Sequence, residues 1–175
     1  MVEDGGYFHV QFGTSSAIPR PKRHSDDSIT RRSRYIADLL GVALLGQITL
    51  IPYNSGDHWV LVAIDMEMGS IYYLDSIGAI PPDDLKIIVT QGVQIHHAAK
   101  FKDRLKVKWI TVMCPKQKGS VECGYYVMKY MKDIVADVHI LKNNFSAVQE
   151  YCEEDILAIR EEGISYAATL MNKVL

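Results

Sequence analysis

Residues 47–76 constrain the fold most, because they contain three strand-forming runs in close succession. The first run, residues 48–52, is rich in β-branched side chains and ends at a proline. Two further runs, residues 58–64 and 70–74, are separated by a short segment that contains Gly69, as a tight hairpin requires. We therefore expect these two runs to form a β-hairpin.

The hairpin predicts a contact between His58 and Asp75. A turn centred on residues 66–68 places these two residues opposite each other or diagonally across neighbouring strands. A carboxylate in that position would hold the imidazole in one tautomer and stabilise its protonated form. The alternative is a surface histidine at the end of a strand and an aspartate that begins an Asp-Ser turn.

A second feature places a thiol where a loop becomes a helix. Cys123-Gly124 follows a loop that contains Gly119, and an apolar helical run continues to about residue 135. The unpaired N–H groups and the macrodipole of a helix N-terminus favour the thiolate, and Gly124 keeps the approach to the sulfur open. Six residues upstream, the amide of Gln117 is placed to act as an oxyanion-hole donor. The alternative is an inert buried cysteine at the start of a core helix.

The remaining pattern predicts a leader and one domain. Residues 1–27 mix glycine, serine and proline with little periodicity and read as an irregular leader, and residues 28–175 as a single domain. Helical spacing is expected from Ser28, from Pro82 and after about residue 148, and residues 107–113 are expected to form a strand.

Composition limits the classes of function. A chain of 175 residues with 48% hydrophobic content can bury a core without disulfide bonds or metal ions to stabilise it. A net charge of −2 argues against a general nucleic-acid-binding surface. The three cysteines are too few and too irregularly spaced for a disulfide framework or a zinc site, so we expect a reducing intracellular compartment and no metal or cofactor. Two of them, Cys114 and Cys152, are expected to be small core residues. No signal-peptide core and no membrane-spanning run is visible in the sequence.

Four features in this order match a known family. They are His58-Trp59, the run Tyr73-Leu74-Asp75-Ser76, Gln117 six residues before the cysteine, and Glu122-Cys123-Gly124 leading into an apolar helix. Together they resemble the ubiquitin-like-protein-specific cysteine proteases, the SUMO-protease and adenovirus-protease-like family. The sequence of residues 51–65 is most similar to that of plant members that are carried by transposons or derived from them.

The resemblance implies an α+β fold with a papain-like core, a central mixed sheet flanked by helices, and the chain order His, Asp, Gln, Cys. It implies that His58 is the general base, Asp75 its orienting carboxylate and Cys123 the nucleophile. Gln117 and the backbone N–H of Cys123 would form the oxyanion hole. Trp59 would cover the channel for the Gly-Gly tail of the substrate, beside Gly124.

The resemblance also implies a partner and a reaction. The partner would be a SUMO-type modifier or its conjugates, the chain would act as a monomer in the nucleus, and the bond after Gly-Gly would be hydrolysed. Members of the family usually carry a tryptophan in a substrate-contacting segment well before the histidine, whereas this chain has none before Trp59, so we expect a shortened N-terminal part. Two alternatives follow: a modifier-binding or transposon-associated module with weak turnover, and an acetyltransferase, which would require acyl-CoA and inositol phosphate.

Overall fold

The computed structural model describes residues 10–12, 26–102, 104–145 and 150–174. In this part of the chain, strands and helices follow one another as β1 (Val10–Phe12), α1 (Asp26–Gly41), β2 (Ile48–Asn54), β3 (Trp59–Asp65), β4 (Ser70–Leu74), α2 (Asp83–Lys100), β5 (Lys108–Thr111), α3 (Cys123–Ala136) and α4 (Glu153–Val174). A short 3₁₀ helix, Val138–Leu141, follows α3 and was not predicted. None of the described helices combines the length and the apolar character needed to cross a membrane.

The strands form one mixed sheet in the order β1-β2-β3-β4-β5. The central strand β3 is antiparallel to both β2 and β4, whereas β1 and β5 each pair in parallel with their neighbour. This arrangement confirms the predicted α+β class with a central mixed sheet. Because the sheet is flanked by helices, its central strands are buried almost without interruption.

Two apolar clusters lie on opposite faces of this sheet. Alternate residues of β3, such as Val60 and Val62, face the helices α1 and α2, while Leu61 and Ala63 face α3. Among the described residues, both faces of the central strands are therefore covered. Buried polar side chains lie at or next to the ends of these strands.

The β3–β4 hairpin fixes the positions of the residues at its open end, which is the end opposite the turn. Its register pairs Leu61 with Leu74 and Asp65 with Ser70. Gly69 closes the turn with φ +59°, and a Cβ atom there would lie 2.7 Å from the Lys106 carbonyl oxygen. Glycine is thus required at this turn both by backbone conformation and by space.

Within residues 1–27, which were predicted to form an irregular leader, the structure describes one short strand and the start of α1. Residues Val10–Phe12 form β1, paired in parallel with residues 48–50, and α1 already begins at Asp26. Three residues are too short to show a strand period, and pairing with the edge of β2 is a tertiary contact that local pattern does not register. The other residues of the leader lie outside the described ranges, and its separation from a domain at 28–175 stays a prediction.

Candidate active site

His58 and Asp75 lie together at the open end of the hairpin. His58 immediately precedes β3 and Asp75 immediately follows β4, which brings both to the same edge of the sheet. Since Leu61 pairs with Leu74, the two residues stand diagonally across the strands, with His58 Nε2 2.7 Å from Asp75 Oδ1. The predicted contact is therefore present.

The carboxylate of Asp75 is buried and fully hydrogen-bonded. Its side chain is 2% exposed, against 21% for His58. Besides the imidazole, Oδ1 accepts the backbone N–H of Ile77 at 2.9 Å, and Oδ2 accepts the Tyr73 hydroxyl at 3.3 Å. Burial, and secondarily the charge of Asp75, raises the pKa of Tyr73, so this phenol stays a donor. A charge out of water needs such partners.

This hydrogen bond determines which nitrogen of the imidazole can act as a base. A carboxylate accepts but does not donate, so His58 Nε2 must carry the proton that lies between the two groups. Neutral His58 then has its lone pair on Nδ1. The pair is consequently built to receive a proton at Nδ1 while Asp75 stabilises the imidazolium that results.

The turn after Asp75 is fixed from the other side by the segment that leads to Gln117. Lys116 Nζ donates to the Asp75 carbonyl oxygen at 2.8 Å, and the Cys114 thiol approaches the same oxygen at 3.5 Å. The backbone N–H of Gln117 donates to the Ser76 carbonyl oxygen at 3.0 Å. These bonds join the turn after Asp75 to residues 114–117, so the two segments are held together.

Cys123 is the first residue of α3, as predicted. The residue is only 5% exposed, and as the first residue of the helix it has a backbone N–H outside the helical hydrogen-bond ladder. It lines a cleft of about 450 Å³ together with Trp59, Gly124, Tyr125 and Met128. Three residues assigned to the site by sequence, Trp59, Cys123 and Gly124, therefore meet in one mostly apolar cleft.

Gly124 leaves open space between α3 and the indole of Trp59. A Cβ atom at this position would lie 3.7 Å from Trp59 Cδ1, which is ordinary van der Waals contact. The fold itself therefore does not demand glycine here. A methyl group would instead fill part of the cleft beside the sulfur.

Gln117 is held by both ends of its amide group. Oε1 lies 2.5 Å from the Ser76 hydroxyl, and Nε2 donates to the Gly119 carbonyl oxygen at 2.7 Å. The backbone N–H of Gly119 in turn donates to Glu122 Oε2 at 3.1 Å. The loop between Gln117 and the helix is thus closed by its own side chains.

The other two cysteines lie outside the cleft. Cys114 is buried in the core, as predicted, and burial raises the pKa of its thiol, so it stays protonated. Cys152 was predicted to be a core residue but is exposed. It precedes α4, where its backbone N–H donates to Asp155 Oδ2 at 3.3 Å, a helix-start role that leaves its side chain outside the core. Within the described ranges, no group of three or more His, Cys, Asp or Glu side chains is arranged to hold a metal ion.

Three residues that support the site were given no role at the level of sequence, although Tyr73 and Ser76 belong to a run that carries the family resemblance. Tyr73 carried a usable signal, because residues two apart on a strand face the same side and it precedes Asp75 by two. Ser76 and Lys116 carried none, since their contacts cross between segments about forty residues apart in the chain.

Comparison with known proteins identifies a family for this arrangement. Residues 46–165 match the family model described as Ulp1 protease family, C-terminal catalytic domain. A de-sumoylating protease is similar in structure with a TM-score of 0.67 at 14% identity, over 97% of this chain and 76% of its own. The SUMO protease Ulp1 with its catalytic cysteine oxidised to a sulfenic acid gives 0.56 at 18% identity, over 86% and 64%. The Ulp1-like SUMO protease catalytic domain of Chaetomium thermophilum gives 0.55 at 20% identity, over 86% and 58%.

These solved structures agree with the fold, and the family match covers well over half of the chain. The chain spans about three quarters of the first of them and less than two thirds of the other two. The family match includes every residue that lines the site described above. The chain therefore belongs to the Ulp1 protease family and is a cysteine peptidase.

Proposed function

We propose that this domain hydrolyses the bond after the C-terminal Gly-Gly of a ubiquitin-like modifier of SUMO type. The observation that carries the proposal is the His58–Asp75 pair, 2.7 Å apart with its carboxylate buried, whose histidine directly precedes Trp59 of the cleft that contains Cys123. A nucleophile, a base and an orienting carboxylate are the groups that thiol acyl transfer requires.

In the first step, Nδ1 of His58 accepts the proton of the Cys123 thiol. The thiolate attacks the carbonyl carbon of the last glycine, and the electron pair of that carbonyl moves onto its oxygen. The backbone N–H of Cys123 and the amide of Gln117 donate hydrogen bonds to this oxyanion. Asp75 keeps the imidazolium in place while the charge develops.

In the second step, the oxyanion re-forms the carbonyl and expels the amine of the target lysine, which takes the proton from His58. The modifier is left as a thioester on Cys123. A water molecule then gives a proton to His58 and attacks the thioester, and the thiolate leaves and is reprotonated. The products are the modifier carboxylate and a free amine.

The choice of substrate rests on the cleft and on the proteins with the same fold. One of these is a Ulp1 protease domain in complex with SMT3, the yeast ortholog of SUMO, and another is the Xanthomonas campestris effector XopD bound to ubiquitin. In this chain, Trp59 faces Gly124 across the cleft that contains the sulfur. A tail of glycines, without side chains, suits a passage bounded in this way.

A covalent capture experiment tests the proposal. SUMO, ubiquitin and a Nedd-type modifier, each ending in an electrophilic warhead after Gly-Gly, are incubated with the purified chain and the products are weighed by mass spectrometry. We expect an adduct with SUMO in the wild type and in Cys152→Ala, and none in Cys123→Ala. The Cys152→Ala variant is the matched control, because it removes the exposed thiol, which lies outside the cleft.

Each other outcome overturns part of the proposal. An adduct with ubiquitin alone would replace the SUMO assignment, and an adduct that persists in Cys123→Ala would remove the nucleophile. If a folded wild-type chain forms no adduct, hydrolysis is wrong, and titration with unmodified SUMO then decides whether the domain binds modifiers without cleaving them.

Three finer assignments belong to the same proposal. Similarity of residues 51–65 supports a plant transposon-associated origin, and resemblance to the family supports a nuclear monomer. A fluorescent fusion expressed in cells tests the compartment, and sedimentation of the purified chain tests the oligomeric state. A cytoplasmic signal or a stable dimer would contradict these assignments without affecting the chemistry.

A further inference from the structure

Ser76 directly follows Asp75 and contacts a different part of the site. Its hydroxyl oxygen lies 2.5 Å from Gln117 Oε1, and Ser76 is 1% exposed. We infer that Ser76 is a positioning residue that sets the orientation of the Gln117 amide. The dipeptide Asp75-Ser76 would then align both the general base and the oxyanion donor, an inference that rests on the proposed function.

The hydrogen bonds themselves decide which end of the amide faces Ser76. The carbonyl oxygen of Gly119 can only accept, so the atom of Gln117 that lies 2.7 Å from it must be the nitrogen. Oε1 therefore faces Ser76, whose hydroxyl must donate. An inverted amide would bring two acceptor oxygens together at Gly119, which is repulsive.

This orientation leaves one donor for the reaction. An amide nitrogen carries two N–H groups, and Gly119 takes one of them. In the proposed mechanism, the second N–H of Gln117 donates to the oxygen of the substrate carbonyl. Donation from Ser76 to Oε1 also draws electron density from the amide nitrogen, which makes its remaining N–H a better donor.

The main chain reinforces the same pairing. The Ser76 carbonyl oxygen accepts the backbone N–H of Gln117 at 3.0 Å, so the two residues are joined through both backbone and side chain. Lys116 binds the Asp75 carbonyl oxygen at 2.8 Å immediately beside them. Removal of the Ser76 hydroxyl would therefore release the Oε1 end of the amide while leaving the backbone register intact.

The chain contains a matched control for this interaction. Ser33 is also fully buried, and its hydroxyl donates to Gln91 Oε1 at 3.1 Å between α1 and α2. This second serine–glutamine pair has the same chemistry but lies on the side of the sheet away from the cleft. The change Ser33→Ala thus reproduces the loss of a partly buried serine–glutamine bond without touching the site.

The decisive measurement is a double-mutant cycle on the hydrolysis of a SUMO precursor. We expect Ser76→Ala to lower kcat by about fivefold, the worth of one ordinary hydrogen bond, with KM unchanged. In a Gln117→Ala background the same change should have no further effect, and Ser33→Ala should leave both constants unchanged. Full multiplication of the two effects, or an unchanged kcat in Ser76→Ala, would overturn the inference.

A spectroscopic measurement keeps the test independent of turnover. In a ¹⁵N spectrum, Ser76→Ala should shift the two side-chain amide protons of Gln117 and speed their exchange with water, while Ser33→Ala should do so only for Gln91. Gln117 resonances that match the wild type would overturn the contact. If the wild type cleaves no modifier, the proposed function fails on its own, and this spectrum still decides whether Ser76 orients the amide.

Discussion

The two halves of the site are held in different ways. The base half consists of His58 and Asp75 at the ends of two antiparallel strands, and its carboxylate is 2% exposed. The thiol half consists of Cys123 and the preceding loop, residues 117–122. This loop is largely exposed, and Val121 in it is 84% exposed. Gln117 at the start of this loop is bonded to Ser76, but beyond it the hydrogen bonds of the loop are local, as from Gly119 to Glu122.

This difference separates fixed from adjustable geometry. Strand register cannot shift by one residue without turning every side chain to the opposite face, so the His58–Asp75 contact is determined as firmly as the core. Exposed loop hydrogen bonds open at far lower free energy than the core. We therefore expect the thiol half to adapt to a substrate while the base half stays in place.

The largest effect should come from Cys123→Ala, which removes the nucleophile of the thiol half. We expect hydrolysis to fall by about 10⁴-fold or more, because no other group can form the thioester. Stability should change by only about 1 kcal/mol, since a small side chain is replaced by a smaller one. Steady-state assays and thermal unfolding check both values. Appreciable turnover in this variant would contradict the role of Cys123.

The next largest effect tests the base half through Asp75→Asn. The asparagine amide can present N–H to His58 Nε2, which favours the wrong tautomer and leaves Nδ1 protonated. We expect kcat to fall by about 10²- to 10⁴-fold with a folded chain. Circular dichroism and the pH dependence of kcat check this, and an unchanged rate constant would remove Asp75 from the mechanism.

The comparison of the two halves also explains what could be predicted from sequence. The contact between His58 and Asp75 followed from hairpin arithmetic, because a turn around Gly69 fixes which positions meet. The helix start at Cys123 followed from local pattern in the same way. Features that depend on one strand pair or one helix can thus be predicted from the sequence.

Other features depend on contacts between distant segments. The bond from Ser76 to Gln117 and the one from Lys116 to Asp75 join the end of β4 to the segment after β5, and parallel pairing of those strands is needed first. The short strand β1 was missed for the same reason. Local periodicity carries no information on such pairings, which arise only once the sheet is assembled.

A third prediction concerns the substrate that passes between the two halves. Trp59 comes from the strand side and Gly124 from the helix side of the cleft, so a side chain on the tail would meet one of them. We expect modifiers with Ala in place of either glycine to be cleaved at least about tenfold more slowly in kcat/KM. Competition assays with paired substrates measure this. Equal rates would show that the passage is not narrow.

A smaller effect is expected from Tyr73→Phe, which removes one donor from Asp75. The bond is long, 3.3 Å, so we expect a loss of about threefold in kcat, near the lower end for a single hydrogen bond. Burial and Asp75 keep the pKa of Tyr73 high, so the loss should be constant across neutral pH. Tyr72→Phe is the matched control, because Tyr72 faces the other side of the sheet. Equal losses in both variants would indicate a general packing effect.

The smallest effect on activity should come from Gly124→Ala. This change should stabilise the fold but weaken the binding of substrate. Alanine in place of glycine near a helix start should raise the free energy of unfolding by about 0.5 kcal/mol. The new methyl would contact Trp59 at 3.7 Å without overlap, so KM should rise by only about twofold, less than one methylene usually changes in an apolar pocket. Denaturant unfolding and steady-state kinetics measure the two quantities. A stabilised variant with unchanged KM would show that the tail does not pass beside this helix start.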